Sequence, residues 1–270
     1  MGVPDRQDVA WVLDCVTTLA AEHIGARFGR VQSARKADGS LLTEADLAMQ
    51  AALMAALEDR FPGIPVLAEE QDADLQARVI KEAEHGVWCL DPLDGTTNFA
   101  SGVPLFGVSL ALIRQGRVVF GVVHDPVRVE SFHAVAGKGA WLNGEPLVPV
   151  AAPGGLGECV AVVDFKRLPG PLATRLAVSP PFRSQRSFGS VALDWCWLAA
   201  GRYQLYLHGG QKLWDYAAGQ LIAREAGAAV CLGESVADDC DFEAVLRPRV
   251  ATGAATAGLL RRWRDWLLED

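Results

Sequence analysis

A polar turn directly after an apolar run is the strongest constraint on how this chain folds. The run Val-Trp-Cys-Leu at residues 87–90 predicts a buried strand, and the sequence DPLDGTTN follows it at residues 91–98. Proline fixes the backbone φ angle and glycine permits a positive one, so these residues predict a tight turn. The turn brings together the carboxylates of Asp91 and Asp94, which repel each other unless a cation or a proton lies between them. Taken alone, the stretch fits either a site for Mg²⁺, which prefers oxygen ligands, or an ordinary Asp-Gly turn before a helix.

Two further acidic segments make this stretch part of a larger pattern. An acidic pair at residues 69–70 follows the apolar run before it, and Asp215 lies within the sequence LWDYAAG at residues 213–219. Together with the turn, and in this order, these segments resemble the signature of the inositol monophosphatase family, the Mg²⁺-dependent, lithium-sensitive phosphomonoesterases. The stretch at residues 36–46 takes part in the resemblance, which therefore covers nearly the whole chain.

The resemblance implies a set of site residues. The Mg²⁺ ligands that it implies, for two or three ions, are Glu69, Asp91, the carbonyl group of Leu93, Asp94 and Asp215. The catalytic residues that it implies are Thr96 and Asp46, which together orient the attacking water, and Glu69, which shares that role. The substrate-binding residues are Gly95, Thr96, Gly189, Ser190 and Asp215. Paired Mg²⁺ ions suit a phosphate ester because they bind the attacking and the leaving oxygens together.

The residues around the substrate depart from the family pattern. Relatives carry a glutamate seven residues before Asp215, where this chain has His208, and Lys212 lies closer to the same aspartate. Histidine and lysine favour an anionic or carboxyl-bearing group over an uncharged cyclitol, so both are predicted to bind substrate. His208 is placed at the end of a strand predicted at residues 203–207, and Asp215 before a helix predicted at residues 216–226.

A small phosphorylated metabolite is the predicted substrate. Inositol 1-phosphate or a related sugar or polyol phosphate ranks first, while histidinol phosphate, fructose 1,6-bisphosphate and adenosine 3′,5′-bisphosphate stay open. Lys36 is either a solvated surface charge or a partner of the substrate phosphate. The alternative outside the enzymes is a sensor that binds a phosphorylated metabolite without turnover. The presence of Glu69 and Thr96 argues against it, since a sensor could lose them freely.

Periodicity and turn signals predict different fold classes for the two halves. Hydrophobic periodicity predicts a first helix, and Thr43 followed by Asp46 predicts the capped start of a second. Short apolar runs and a hairpin signal at residues 143–144 then predict an antiparallel meander, so residues 1–150 are interpreted as an α+β domain. Strands and helices alternate over residues 151–270, which predicts an α/β domain. The resemblance implies that the halves form a layered αβαβα sandwich with the site between them.

Charge and cysteine usage limit the remaining classes. The net charge of −8 argues against a general binder of nucleic acids or of anionic membranes. The six cysteines form no C-x-x-C pair, so we expect buried thiols in a reducing compartment and no zinc site. With no signal-peptide pattern and no apolar run of the roughly 18 residues that a membrane span needs, we expect a cytoplasmic protein. The family resemblance implies a homodimer.

Overall fold

The computed structural model describes residues 3–29, 33–35, 41–83, 85–148, 153–238, 240 and 242–269. The helices are α1 (Arg6–His23), α2 (Glu44–Arg60), α3 (Ala73–Glu82), α4 (Thr96–Ala100), α5 (Gly170–Val178), α6 (Val191–Ala199), α7 (Leu213–Glu225) and α8 (Ala257–Leu268). The strands are β1 (Ser33–Arg35), β2 (Leu41–Thr43), β3 (Val66–Ala68), β4 (Val87–Asp94), β5 (Gly107–Arg114), β6 (Arg117–Asp125), β7 (Glu130–Val135), β8 (Gly139–Leu142), β9 (Glu145–Pro146), β10 (Val160–Asp164), β11 (Ser184–Arg186), β12 (Leu205–Gln211), β13 (Ala229–Gly233) and β14 (Arg249–Ala254).

Five layers make up the fold. The larger sheet has the strand order β3-β4-β5-β6-β7-β8-β9, and the smaller sheet has the order β11-β10-β12-β14-β13. Helices α1 and α2 pack on one face of the larger sheet, and α6 and α7 lie between the two sheets. Helices α5 and α8 pack on the outer face of the smaller sheet. The predicted αβαβα sandwich is confirmed.

Helices cover both faces of β4, and this explains its composition. Trp88 and Leu90 pack against α1 and α2, while Val87 and Cys89 face the layer of α6 and α7. Successive side chains of a strand point to opposite faces, and here both faces are covered by helices. Every residue of β4 is therefore buried, and residues 87–90 are all apolar instead of alternating with polar residues.

Two local structures predicted in the first half are found, namely the capped start of α2 and the hairpin at residues 143–144. Thr43 caps α2, and Asp46 completes a capping box with the Thr43 backbone N–H. β1 and β2 pair antiparallel, and the residues 36–40 between them, with Lys36, lie outside the described residues. Asn143 and Gly144 have φ angles of 49° and 84° and connect β8 to β9, which confirms the hairpin signal.

The smaller sheet is mixed in direction. β10 runs parallel to β11 and to β12, whereas β14 runs antiparallel to both β12 and β13. Two predicted boundaries are wrong here: His208 lies inside β12, and Asp215 lies in the first turn of α7. The domain division at residue 150 stays a prediction, because residues 149–152 lie outside the described part of the chain.

The expectation that all cysteines are thiols is wrong for one pair. Cys231 of β13 and Cys240 form a disulfide. The free cysteines are Cys15, Cys89, Cys159 and Cys196. The sequence does not indicate this pairing, because it depends on the loop after β13 folding back along the strand. Among the helices of the described residues, none combines the length and the apolarity that crossing a membrane requires.

Candidate active site

The site is built on an irregularity at the end of β4. Asp91 pairs with Ser109 of β5, and Asp94 pairs with Gly107. Asp94 lies three residues beyond Asp91, whereas their partners on β5 are only two residues apart, so β4 contains a bulge. This bulge bends the strand and changes the direction in which its side chains point, as bulges beside functional sites commonly do. Gly95 follows with a φ of +90°, and a Cβ there would lie 2.9 Å from the backbone oxygen of Leu105. Only glycine fits this position without strain, and α4 begins directly after it.

Helix α7 brings the third aspartate to the same place. Its first turn is attached to β5 because Ser109 Oγ donates to the backbone oxygen of Trp214 at 3.0 Å. Asp215 is the third residue of the helix, and its Oδ2 accepts from the backbone N–H of Lys212 at 2.8 Å. A carboxylate at this position caps the helix and is also favoured by the positive end of the helix dipole.

Asp94 connects the two halves of the chain. Its Oδ2 accepts from Ser190 Oγ at 2.5 Å and from the backbone N–H of Ala192 at 2.7 Å. Asn98 supports the same junction, since its Nδ2 donates to the backbone oxygens of Leu105 at 2.8 Å and Phe188 at 2.6 Å. The end of β4 and the start of α6 are thus held together around one carboxylate.

Crowding perturbs the protonation of the three aspartates. Burial raises the pKa of Asp91 well above its usual value, and the negative charges of Glu69, Asp94 and Asp215 raise it further. Loss of solvent also raises the pKa of Asp94 to about 6, against the opposing hydrogen bonds from Ser190 and Ala192. The pKa of Asp215 is raised by loss of solvent and then by the charges of Glu69 and Asp94. Clustered carboxylates of this kind fit a hard divalent cation, which supplies the missing positive charge and prefers oxygen ligands.

The side chains do not form a ready-made chelate. Within the described ranges, no three His, Cys, Asp or Glu side chains are grouped so that they could hold a metal ion. Each aspartate instead accepts a backbone hydrogen bond, as Asp91 Oδ1 does from the N–H of Leu93 at 3.0 Å. The metal ligand set is therefore a prediction that requires some of these side chains to turn.

Thr96 is placed as the sequence predicts, beside Asp46. The Thr96 hydroxyl lies 3.2 Å from Asp46 Oδ1 and 3.0 Å from the backbone oxygen of Leu93. Asp46 is fully buried, and its Oδ2 accepts from the backbone N–H and the hydroxyl of Thr43. The start of α2 therefore fixes the position of the threonine hydroxyl at the start of α4.

A small pocket opens beside these residues, with a volume of about 180 Å³. Its walls include Asp94, Ser190 and Asp215 from the crowded site. They also include residues that the sequence did not single out, namely Asp164, Lys166, Arg167 and Asp194. The pocket joins the carboxylate cluster to the C-terminal end of β10.

Two predicted substrate residues are used differently from what we expected. His208 lines the pocket but is only 3% exposed, and its ring nitrogens face Asp164 and the N–H of Gly210. Lys212 has its Nζ 5.4 Å from the centre of the Trp214 ring, and its charge lowers the pKa of Asp215. The roles of both residues in substrate binding stay predictions.

Available signals could have found two of the missed residues. Asp164 directly follows the apolar run at residues 159–163, which predicts a strand, and open α/β sheets bind ligands outside the carboxyl ends of their strands. Asp194 is the one acidic residue in the otherwise apolar helix α6, and its Oδ1 is buried without a hydrogen-bond partner. A buried polar group of this kind calls for a functional explanation.

Comparisons with known proteins agree with this geometry. The sequence model of the inositol monophosphatase family matches residues 6–261. The chain is 37% identical over 212 residues to the Nus factor SuhB of Pasteurella multocida. The matched region covers 74% of this chain and 75% of that protein. It is 34% identical over 235 residues to the inositol-1-monophosphatase of Caulobacter vibrioides, covering 84% and 88%. The crystal structure of the extragenic suppressor protein SuhB from Bartonella henselae superposes with a TM-score of 0.82 at 27% identity, covering 97% and 99%. The chain therefore belongs to the inositol monophosphatase family and is a phosphomonoesterase.

Proposed function

We propose that this protein hydrolyses a small sugar or polyol monophosphate, such as inositol 1-phosphate, with water and Mg²⁺. The observation that carries the proposal is the convergence of Asp91, Asp94 and Asp215 beside a pocket that Asp94 and Asp215 line. Burial raises the pKa of all three carboxyl groups, and the charge of Glu69 raises each of them further. Such a cluster is unfavourable in the protein alone and becomes favourable with bound cations. Family membership supports the same reaction class.

The ligands proposed for two or three Mg²⁺ ions are Glu69, Asp91, the Leu93 carbonyl, Asp94 and Asp215. When bound, Mg²⁺ neutralises the phosphate and lowers the pKa of a bound water. A carbonyl ligand suits a hard cation as well as a carboxylate does.

The other residues of the chain position the reactants. The Thr96 hydroxyl lies between Asp46 and the Leu93 carbonyl, so it can accept a hydrogen bond from a water while donating to one of them. Glu69 shares this role in the proposal. The backbone N–H groups of Gly95 and Thr96 lie at the start of α4 and are proposed to donate to phosphate oxygens.

Gly189, Ser190 and Asp215 are proposed to contact the remainder of the substrate. The pocket that they share with Asp94 is small, with a volume of about 180 Å³. This volume favours a small polyol phosphate over adenosine 3′,5′-bisphosphate, which needs more room. Histidinol phosphate and fructose 1,6-bisphosphate stay as alternatives, and a non-catalytic metabolite sensor is the alternative of another class.

A substrate panel tests the proposal. Phosphate release is measured with Mg²⁺ on inositol 1-phosphate, histidinol phosphate, fructose 1,6-bisphosphate and adenosine 3′,5′-bisphosphate. We expect the fastest release from inositol 1-phosphate or another polyol monophosphate, and loss of release in Asp91→Asn. Asp5→Asn is the matched control, because Asp5 only caps α1. Release from none of the four phosphates would favour the sensor.

We also propose that the protein is a homodimer in the cytoplasm and that it binds neither nucleic acids nor membranes. The homodimer rests on the family resemblance. The Cys231–Cys240 disulfide weighs against the location, because reducing compartments keep most thiols free. Mass determination in solution and thiol labelling of the native protein test these two points separately.

A further inference from the structure

Asp164 and His208 form a pair in the wall of the pocket, which the predicted metal ligands Asp94 and Asp215 also line. They are direct neighbours on the parallel strands β10 and β12, and His208 Nε2 lies 3.2 Å from Asp164 Oδ2. The histidine side chain is 4% exposed and the aspartate side chain 30%. The carboxylate is therefore the member of the pair that a ligand can reach.

The surroundings of the imidazole determine which nitrogen carries the proton. His208 Nδ1 accepts from the backbone N–H of Gly210 at 3.1 Å, which leaves the Nε2 proton for Asp164. Gly209 permits this arrangement, because a Cβ there would lie 2.3 Å from the backbone oxygen of Arg167. The bulge in β12 thus presses against the segment that follows Asp164 and fixes the ring.

Asp164 keeps free capacity as an acceptor. Its Oδ1 accepts from the backbone N–H of Lys166 at 2.7 Å, and its Oδ2 faces His208. A carboxylate offers about four acceptor sites, so roughly two remain for a ligand. The hydrogen bond from His208 holds the pKa of Asp164 at about 2, so the group is ionised at neutral pH.

The donors carried by the proposed substrates match this acceptor. Lys166 and Arg167 are exposed and line the same pocket, and so do the carboxylates of Asp94, Asp194 and Asp215, so the charges of the lining do not by themselves select between neutral and cationic donors. A sugar or polyol monophosphate carries several hydroxyl groups, and each of them can donate a hydrogen bond to Asp164.

We propose that Asp164 is a specificity residue that accepts hydrogen bonds from hydroxyl groups on the organic part of the substrate, and that His208 is the residue that positions it. This inference rests on the proposed phosphomonoesterase function. It concerns monophosphates whose organic part carries several hydroxyl groups.

Two ring phosphates that differ only in hydroxyl groups test the proposal. Inositol 1-phosphate and cyclohexyl phosphate share the ring and the phosphate, but only the first can donate to Asp164. In Asp164→Asn we expect kcat/KM for inositol 1-phosphate to fall about 10- to 100-fold, as for the loss of hydrogen bonds to a charged group. We expect cyclohexyl phosphate to change by less than about threefold, since it makes no such bond. Asp5→Asn is the control, because Asp5 also accepts a hydrogen bond from a backbone N–H. It should change kcat/KM for neither of the two ring phosphates.

Variants of His208 separate positioning from a purely structural role. His208→Gln keeps an amide donor toward Asp164 and should preserve most of the preference for inositol 1-phosphate. His208→Leu removes the donor and should lose that preference while retaining turnover of cyclohexyl phosphate. A full preference in His208→Leu would overturn the positioning role.

A binding measurement separates this inference from the proposed function. Isothermal titration with non-hydrolysable phosphonate analogues of the two ring phosphates requires no turnover. Wild-type protein should bind the inositol analogue more tightly, and Asp164→Asn should reduce this difference. Absence of hydrolysis of both phosphates would refute the proposed function, and the titration would still decide the role of Asp164. An equal ratio of affinities in wild type and Asp164→Asn would overturn the inference.

Discussion

Asp94→Asn should make the metal-free protein more stable, although it changes a residue predicted to be essential for activity. The pKa of Asp94 is raised from 3.8 to about 6 in the folded state. The folded protein therefore holds this proton more tightly than the unfolded chain does. The free energy of unfolding therefore rises as the pH falls from 6 towards 3.8. Above pH 6 the ionised Asp94 lowers the free energy of unfolding by the full value that the pKa difference implies.

The structure sets an upper limit on the effect. A shift of about two pKa units corresponds to about 3 kcal/mol of unfavourable free energy at neutral pH. Asparagine retains an acceptor oxygen for Ser190 and Ala192, but these bonds are weaker without the charge. We therefore expect a net gain of about 1–3 kcal/mol, and each kcal/mol raises Tm by roughly 2–4 °C in proteins of about this size.

Thermal unfolding with a chelator, at about pH 8 and about pH 5, is the assay. Asp94→Asn should unfold at a higher temperature than wild type at the higher pH, and the difference should shrink at the lower pH. Asp125→Asn is the matched control, because this buried aspartate is paired with Arg128 at 2.9 Å and should lose stability at the higher pH. A lower Tm of Asp94→Asn at about pH 8, or a gain that does not depend on pH, would refute the electrostatic reasoning.

Two further substitutions test how the site is supported. Thr43→Ala should cost about 1 kcal/mol of stability and little turnover, whereas Asp46→Asn should reduce turnover out of proportion to its Tm because it holds Thr96; equal small losses of turnover in both would leave only a capping role. Gly95→Ala should cost more stability than Gly102→Ala, because both have positive φ angles but only Gly95 has a backbone oxygen 2.9 Å from the added Cβ. Equal changes in Tm for the two alanine variants would contradict the steric argument.

The sequence predicts those parts of the site that depend on local chemistry. The capped start of α2 and the hairpin at residues 143–144 each follow from a few neighbouring residues, and both are found in the structure. The tight turn predicted from residue 91 is wrong over residues 91–94, which continue β4 through a bulge, and the chain turns at Gly95. The layered fold was predicted through the family resemblance. Periodicity alone gives the elements but not which faces of the sheets meet.

The pocket beyond the metal site depends on strand order, which no local pattern contains. Asp164 and His208 become neighbours only because β12 pairs with β10, although β11 lies between them in the sequence. The sequence alone therefore predicts that His208 binds an anionic group of the substrate. In the structure, its ring faces the carboxylate of Asp164. The Cys231–Cys240 disulfide was missed for the same physical reason, since it depends on how a loop folds back.

Phosphate release after complete removal of metal tests the central claim most directly. The protein is treated with a chelator, and release from inositol 1-phosphate is followed while Mg²⁺ is added back, in wild type and in Asp91→Asn. The account predicts no release without metal, saturable recovery with Mg²⁺ in wild type, and little recovery in Asp91→Asn. Release that persists without metal, or full recovery in Asp91→Asn, would contradict it.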